Sequence, residues 1–274
     1  MSHPNDSWGA RCADWAEVQE PFLAPCYRLV LAVSGVGPGT RALDVGCGAG
    51  LFARMASDRG ALVTGIDSSQ KMVEFAAGRV PQATFRVGRM DDLPFESGSF
   101  DLVTGFNSFS HAEDQLEALV EARRVAAPGA PVAIVVWGQE SPETANGAVF
   151  SIMPRILGEP IGAQGDDIGA GQSAVQEPEG DQLAELVRRA GLTPRLSGHV
   201  DCPFIYPNEA GLLRGFMAPG PFVEAERHVG AAPVRDAILS ALAPYRTADA
   251  GYSLPISFRY LVAVADSWAP GLVP

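Results

Sequence analysis

The sequence predicts an α/β fold, a largely parallel sheet with helices on both faces, and three observations carry that expectation. Short apolar runs alternate with segments of helical periodicity from residue 36 to 138. The first such run ends in GCGAG, so Gly46, Gly48 and Gly50 stand directly behind a buried strand. Glycine weakens regular structure, so three at alternate positions mark a backbone that bends sharply and leaves room beside it. The chain of 274 residues is also 47% hydrophobic, enough for a sizeable core.

Taken in order, RALDVG (41–46) reads as a buried strand, and LFARMASDRG (51–60) as a helix stopped by Gly60. LVTGID (62–67) is a second strand. SSQKMVEFAAG (68–78) opens on serine caps and stops at Gly78. ATFRVG (83–88) and FDLVTGFN (100–107) are the third and fourth strands. AEDQLEALVEARRVAAPG (112–129) is an amphipathic helix, and PVAIVVWG (131–138) a fifth, wholly apolar strand. Residues 140–180 are rich in Gly, Pro, Gln and acids and read as an irregular insertion. QLAELVRRAGL (182–192) is helical again. TPRLSGHV (193–200) and SFRYLVAVA (257–265) are late strands. Between them EAGLLRGFM and APVRDAILSAL give two short helical patterns with the composition of a cap. No internal repeat is present. One domain over 1–274 follows, with a core of about 36–139, 181–202 and 256–266, an N-terminal lid over 1–35, and cap segments over 140–180 and 203–255.

The formal net charge is −12, Lys71 is the only lysine, and no basic cluster tracks a phosphate backbone, so nucleic acid is disfavoured as a partner. No apolar run approaches the ~20 residues needed to cross a bilayer, and the polar N-terminus is not a signal peptide, so no membrane partner is expected. Cys12, Cys26, Cys47 and Cys202 lack metal-ligand spacing and do not cluster with His3, His111, His199 or His228. That argues against a zinc site or a disulfide framework and fits a cytoplasmic setting; no metal is expected.

Parallel α/β sheets bind ligands beyond the carboxyl ends of their strands, where the chain order reverses. The loop after the first strand lets a ligand approach, and the next helix offers unpaired N–H groups. The dinucleotide pattern G-x-G-x-x-G needs a third glycine at position 51, which is Leu51, and the G-K-[ST] of a phosphate loop is absent. Asp67 ends the second strand, where an acid can accept both hydroxyls of a ribose. Together these point to a nucleoside without a diphosphate. The plainer alternatives are a tight turn without a ligand and a helix cap at Asp67.

LDVGCGAG, then GIDSS, then RVGRMDDLPFESGSFDLVTGFNSF resemble the class I S-adenosylmethionine-dependent methyltransferases, above all the branch acting on small molecules, including ubiquinone-biosynthesis-like and natural-product enzymes. The resemblance is dense over 36–138 and present at WGARCADWAEVQEPFLAPCYRLV and FRYLVAVA. It implies a Rossmann-like seven-stranded, mostly parallel sheet with the last strand antiparallel, plus helical cap insertions. It implies S-adenosylmethionine as cofactor, with S-adenosylhomocysteine as product. Asp44 would organise the loop and the cofactor's ammonium group. Gly46, Cys47, Gly48 and Gly50 would line its methionine and ribose portion. Asp67 would take the ribose hydroxyls, with Ser68 in the same turn. Met72 would pack near the adenine, and Asn107 would meet the methionine end. The family's usual Gly-Asp before LPF is replaced by Gly88-Arg89-Met90. Arg89 therefore departs from the pattern, Asp91 could replace the missing acid, and Met90 could supply an N–H and an apolar edge.

His111 follows the fourth strand in a loop facing the expected cofactor, and a histidine there can take a proton from a substrate hydroxyl or amine. A surface or capping role is the alternative. Trp8, Trp15 and Tyr27 read as core or lid packing or as substrate contacts. Phe150, Met153, Phe204, Phe216, Met217 and Phe222 suggest an apolar or aromatic small-molecule substrate. The expected activity is methyl transfer to such a metabolite by a monomer or homodimer, in secondary metabolism. A bound cofactor assisting a cyclisation, and a nucleotide-binding oxidoreductase, are the other classes.

Overall fold

The computed structural model describes residues 6–138, 141–157 and 181–265. Helical turns, among them α1 (Cys12–Asp14), lead into α2 (Ala24–Val33). The core then alternates β1 (Arg41–Val45), α3 (Leu51–Ser57), β2 (Leu62–Asp67), α4 (Gln70–Arg79), β3 (Thr84–Val87), β4 (Leu102–Phe106), α5 (Gln115–Val125) and β5 (Pro131–Trp137). Two short helices, α6 (Ala145–Phe150) and α7 (Ile152–Leu157), precede α8 (Gln182–Arg189) and β6 (Leu192–Asp201). The cap comprises β7 (Phe204–Tyr206), α9 (Glu209–Phe216), α10 (Gly220–Val229), α11 (Ala231–Leu242) and β8 (Tyr252–Leu254), and β9 (Ser257–Ala265) returns to the sheet.

The seven-stranded sheet has the order β3-β2-β1-β4-β5-β9-β6. β1 to β5 pair in parallel, and β9 lies antiparallel to both β5 and β6. This is the Rossmann-like sheet with an antiparallel last strand that the resemblance implied. Side chains alternate along each strand and feed two apolar layers. Ala42, Ala133 and Val135 pack on one face with Leu31, Phe52 and the cap residues Phe204 and Phe216. Leu43, Val45, Val132 and Ile134 pack on the other with Leu119 of α5 and Val187 of α8. The chain runs outward from β1 to β3 and crosses back to β4, so the order reverses between β1 and β4.

Local chemistry sets the boundaries and corrects some expectations. α4 starts where the Ser69 hydroxyl accepts from the Met72 N–H, and it runs past Gly78 to Arg79, with Val80 closing the last turn. α5 begins at Gln115, later than expected, because the Asp114 carboxylate caps Leu116 and Glu117. The helix expected over 182–192 ends at Arg189; Gly191, with φ +76°, turns the chain so that Leu192 already opens β6. Three cap helices stand where two were expected. Gly220-Pro221 reads as a break, yet proline in the first turn starts α10. Of the irregular insertion expected over 140–180, residues 141–157 hold α6 and α7, and 140 and 158–180 lie outside the described residues, as do 1–5 of the lid.

Candidate active site

The loop after β1 is built by three left-handed glycines: Gly46 (φ +72°), Gly48 (φ +50°) and Gly50 (φ +85°). A Cβ on Gly46 would lie 2.3 Å from the Ser108 Cβ, so only glycine fits there. Gly46 and Cys47 both donate their N–H groups to the Ile66 carbonyl, at 2.8 and 3.0 Å. Asp67 closes the loop: its carboxylate accepts from Gly48 N and Ser69 N, each at 2.9 Å. Burial pushes its pKa up, and the backbone donors oppose that shift. Asp44, 2% exposed, accepts from the Thr104 hydroxyl at 2.9 Å. Burial raises its pKa to about 7, against the Thr104 hydrogen bond. The buried Cys47 thiol is pushed well up by burial and then by Asp67, which disfavours a thiolate there.

Across the reversal point, β4 is followed by Asn107, a non-glycine residue at φ +54°. The Asn107 Oδ1 and Ser108 Oγ atoms are buried without a hydrogen-bond partner. His111 closes the following turn, its N–H donating to the Ser108 carbonyl at 2.9 Å. Its ring meets Trp8 edge-on at 5.4 Å. The side chain is exposed, yet enough protein surrounds it for desolvation to lower its pKa. The lowered pKa favours neutral imidazole, the form that can accept a proton.

The N-terminal segment covers this loop. Trp15 packs edge-on against Trp8 at 5.5 Å, and its Nε1 lies 3.5 Å from where a Gly48 Cβ would stand. Met72, 1% exposed, is sealed beneath with Ala16, Ala49 and Phe75. Asp6 accepts from the Ser69 hydroxyl at 2.8 Å. Glu20, 2% exposed, accepts from Leu51 N at 3.1 Å and pairs with Arg79. The same segment holds the cap. Arg11 reaches Glu226 at 2.6 Å and the Met217 carbonyl at 2.8 Å, Arg214 pairs with Asp14 and Glu17, and the Tyr206 hydroxyl donates to Gln19 at 2.7 Å.

Asp44, Gly46, Cys47, Gly48, Gly50, Asp67, Met72 and Asn107 therefore gather at one end of the sheet. Ser68 is exposed in the turn beside Asp67, and Ser108 joins His111 to the group. Arg89 differs: its guanidinium pairs with Asp91 and with Glu113 at 2.8 Å, so the Asp91 carboxylate is already engaged. Half-buried Met90 packs on the layer containing Leu93 and Ile66. Tyr27 is core, meeting Phe52 and Phe106. His199 and His228 are exposed away from the loop, on β6 and α10. Glu20, Arg79 and Ser108 escaped sequence reasoning, because only folding brings them to the loop. So did the buried free thiols of Cys26 and Cys202, 3.4 Å apart. Among the described residues no group of three His, Cys, Asp or Glu is arranged to hold a metal, and no helix is long and apolar enough to cross a membrane.

A reversal-point glycine turn, closed by an acid from the second strand in a sheet of this order, is the architecture of the class I S-adenosylmethionine-dependent methyltransferases. Residues 43–134 match the family model described as a methyltransferase domain. Over 182 residues the chain is 32% identical to the 27-O-demethylrifamycin SV methyltransferase of Amycolatopsis mediterranei, covering 61% of this chain and 60% of the relative. The chain spans about half the length of other curated relatives it matches, 47% for an uncharacterised Mycobacterium tuberculosis protein 30% identical over 128 residues. The methyltransferase in a complex with the Haloferax volcanii Trm112 methyltransferase activator superposes with a TM-score of 0.61 at 22% identity, covering 97% of this chain and 99% of that one. The [4+2]-cyclase SpnF superposes with a TM-score of 0.56 at 21% identity, covering 88% and 80%. At such identities the two structures share the fold alone.

Proposed function

We propose that the protein transfers a methyl group from S-adenosylmethionine to a small apolar or aromatic metabolite. The observation that carries this reading is the loop itself: three left-handed glycines, a position where any side chain would strike Ser108, and Asp67 clasping the turn at Gly48 N. The residues fit the cofactor, since the cradle is one that a Cβ would fill and the Asn107 oxygen beside it lacks a partner. When bound, the cofactor supplies a methyl group on a positively charged sulfur, already attached to a good leaving group.

The chain's own residues bind and orient. Asp67 would hold the ribose hydroxyls, and Asp44 would brace the loop and face the ammonium group. Gly46, Cys47, Gly48 and Gly50 would line the methionine and ribose, with Ser68 at the turn. Met72 would support the adenine, and Asn107 would accept from the methionine end. With Arg89 and Asp91 paired to each other, the Met90 backbone is left as the group for the adenine edge. Holding two reactants in line can supply roughly 7–11 kcal/mol of the barrier. Neutral His111 would take the proton of a hydroxyl or amine acceptor, a step worth typically ~10²–10⁴-fold. Trp8 and Trp15 would exclude water above the loop. The likeness to a rifamycin methyltransferase supports a natural product as acceptor.

Calorimetric titration with S-adenosylmethionine tests the reading. Asp67→Ala removes the acceptor for two loop N–H groups and is expected to weaken binding by about 2–3 kcal/mol, on the order of 30- to 150-fold. Unchanged affinity, or no binding to the parent protein, would sink it. Release of S-adenosylhomocysteine with a product heavier by one CH₂ separates methylation from a cyclisation assisted by the same cofactor.

A further inference from the structure

Glu20 sits outside the sheet, on the N-terminal segment, yet its carboxylate is the charged group of that segment most deeply set beside the glycine loop. Its Oε1 accepts from Leu51 N at 3.1 Å and lies 3.9 Å from where a Gly48 Cβ would stand. Its Oε2 pairs with Arg79, which also donates to the Ala49 carbonyl at 3.2 Å. Asp44 and Asp67 line the same turn, and Asp6 reaches Ser69 beside Asp67. Glu20 and Asp67 act electrostatically on Asp44, and Asp6 acts on Asp67, all as like charges; Arg79 is the opposing charge on Glu20. Among these groups four carboxyls face the one guanidinium of Arg79, in a site sheltered from water, where a charge acts more strongly than at a surface.

A second, independent feature points to a ligand in this place. Ser108, 6% exposed, directs an unpartnered Oγ at the loop, 3.2 Å from the position of a Gly46 Cβ, and the Asn107 Oδ1 next to it is also buried and unpartnered. Both oxygens can accept hydrogen bonds from a cation such as an ammonium group.

From this arrangement we infer that Glu20 is a specificity residue of the cofactor site: its carboxylate completes an anionic wall that favours the sulfonium-bearing cofactor over the uncharged thioether left after methyl transfer. The inference rests on the cofactor reading above and adds a residue from outside the core to it. S-adenosylmethionine carries one more positive charge than S-adenosylhomocysteine, so the wall attracts the first more strongly, and departure of the second is eased.

Titration of the full chain with both ligands tests this. Glu20→Gln keeps an acceptor for Leu51 N but removes the charge. It is expected to lower the preference for S-adenosylmethionine over S-adenosylhomocysteine by about tenfold. Glu20→Asp, which keeps the charge, is expected to hold that preference within about twofold of the parent. If Glu20→Gln does not melt cooperatively, Glu20→Ser gives the same comparison. An unchanged preference, including equal loss of both affinities, would mean that the carboxylate only braces the loop and would overturn the inference. A parent protein that binds neither ligand removes the cofactor reading itself, and this inference with it.

Discussion

The sheet and the segments that close over it are held together in different ways. In β1, β4 and β5 the interior is apolar apart from the Asp44–Thr104 hydrogen bond: Leu43, Val45, Val103 and Ala133 are all 0% exposed, and the strands pair backbone to backbone. The N-terminal segment grips the cap instead through polar side chains far apart in sequence, Arg11 to Glu226, Arg214 to Asp14, and Tyr206 to Gln19. Backbone geometry thus fixes where a ligand would lie, while replaceable side chains fix how the site is closed. The first kind of contact tolerates little change, and the second tolerates much.

The hardest blow to that comparison falls on the loop. Gly46→Ala should cost about 1–2 kcal/mol for a left-handed alanine and a further ~1–3 kcal/mol for the collision with Ser108, and abolish cofactor binding. Thermal melting and titration check both. Next comes the most buried contact between the N-terminal segment and the cap. Tyr206→Phe leaves the Gln19 oxygen without its donor in a buried site and should cost about 1–3 kcal/mol in denaturant unfolding. If it costs nothing, the N-terminal segment and cap are held together even more loosely relative to the sheet.

A smaller effect is expected from Asp44. Its pKa is about 7 folded against 3.8 ordinarily, so the folded state binds more protons in that interval. Its contribution to stability is complete below 3.8 and is lost as pH rises through about 7. The ligand-free melting temperature should therefore fall by a few degrees between about pH 5 and about pH 8, and Asp44→Asn should flatten that slope. Arg214→Ala should change least, since its two ion pairs stand in solvent; an unaltered melting temperature is the expected result.

The sheet was largely legible in the sequence because its strands are short unbroken apolar runs, as in PVAIVVWG, and glycines punctuate them. α10 was not, since Gly220-Pro221 looks the same whether it breaks a helix or starts one. At the candidate site, the loop glycines and Asp67 declare themselves by spacing. Glu20 and Arg79 do not, because neither carries a local pattern and 59 residues separate them. Arg89 shows the limit from the other side: its departure from the family pattern is visible in the sequence, but its pairing with Glu113 depends on the fold. Cys26 and Cys202, 176 residues apart, look unrelated in sequence and lie side by side in the fold.

Residues 6–33 touch both the glycine loop and the cap, and this constrains how such chains can be recombined. A chimera that imports only a foreign cap, residues 203–255, would confront Arg11, Asp14 and Gln19 with strangers. Grafts that carry the N-terminal segment and the cap together should assemble better than grafts of either part, because they keep the ion pairs and the Tyr206–Gln19 hydrogen bond between the two intact.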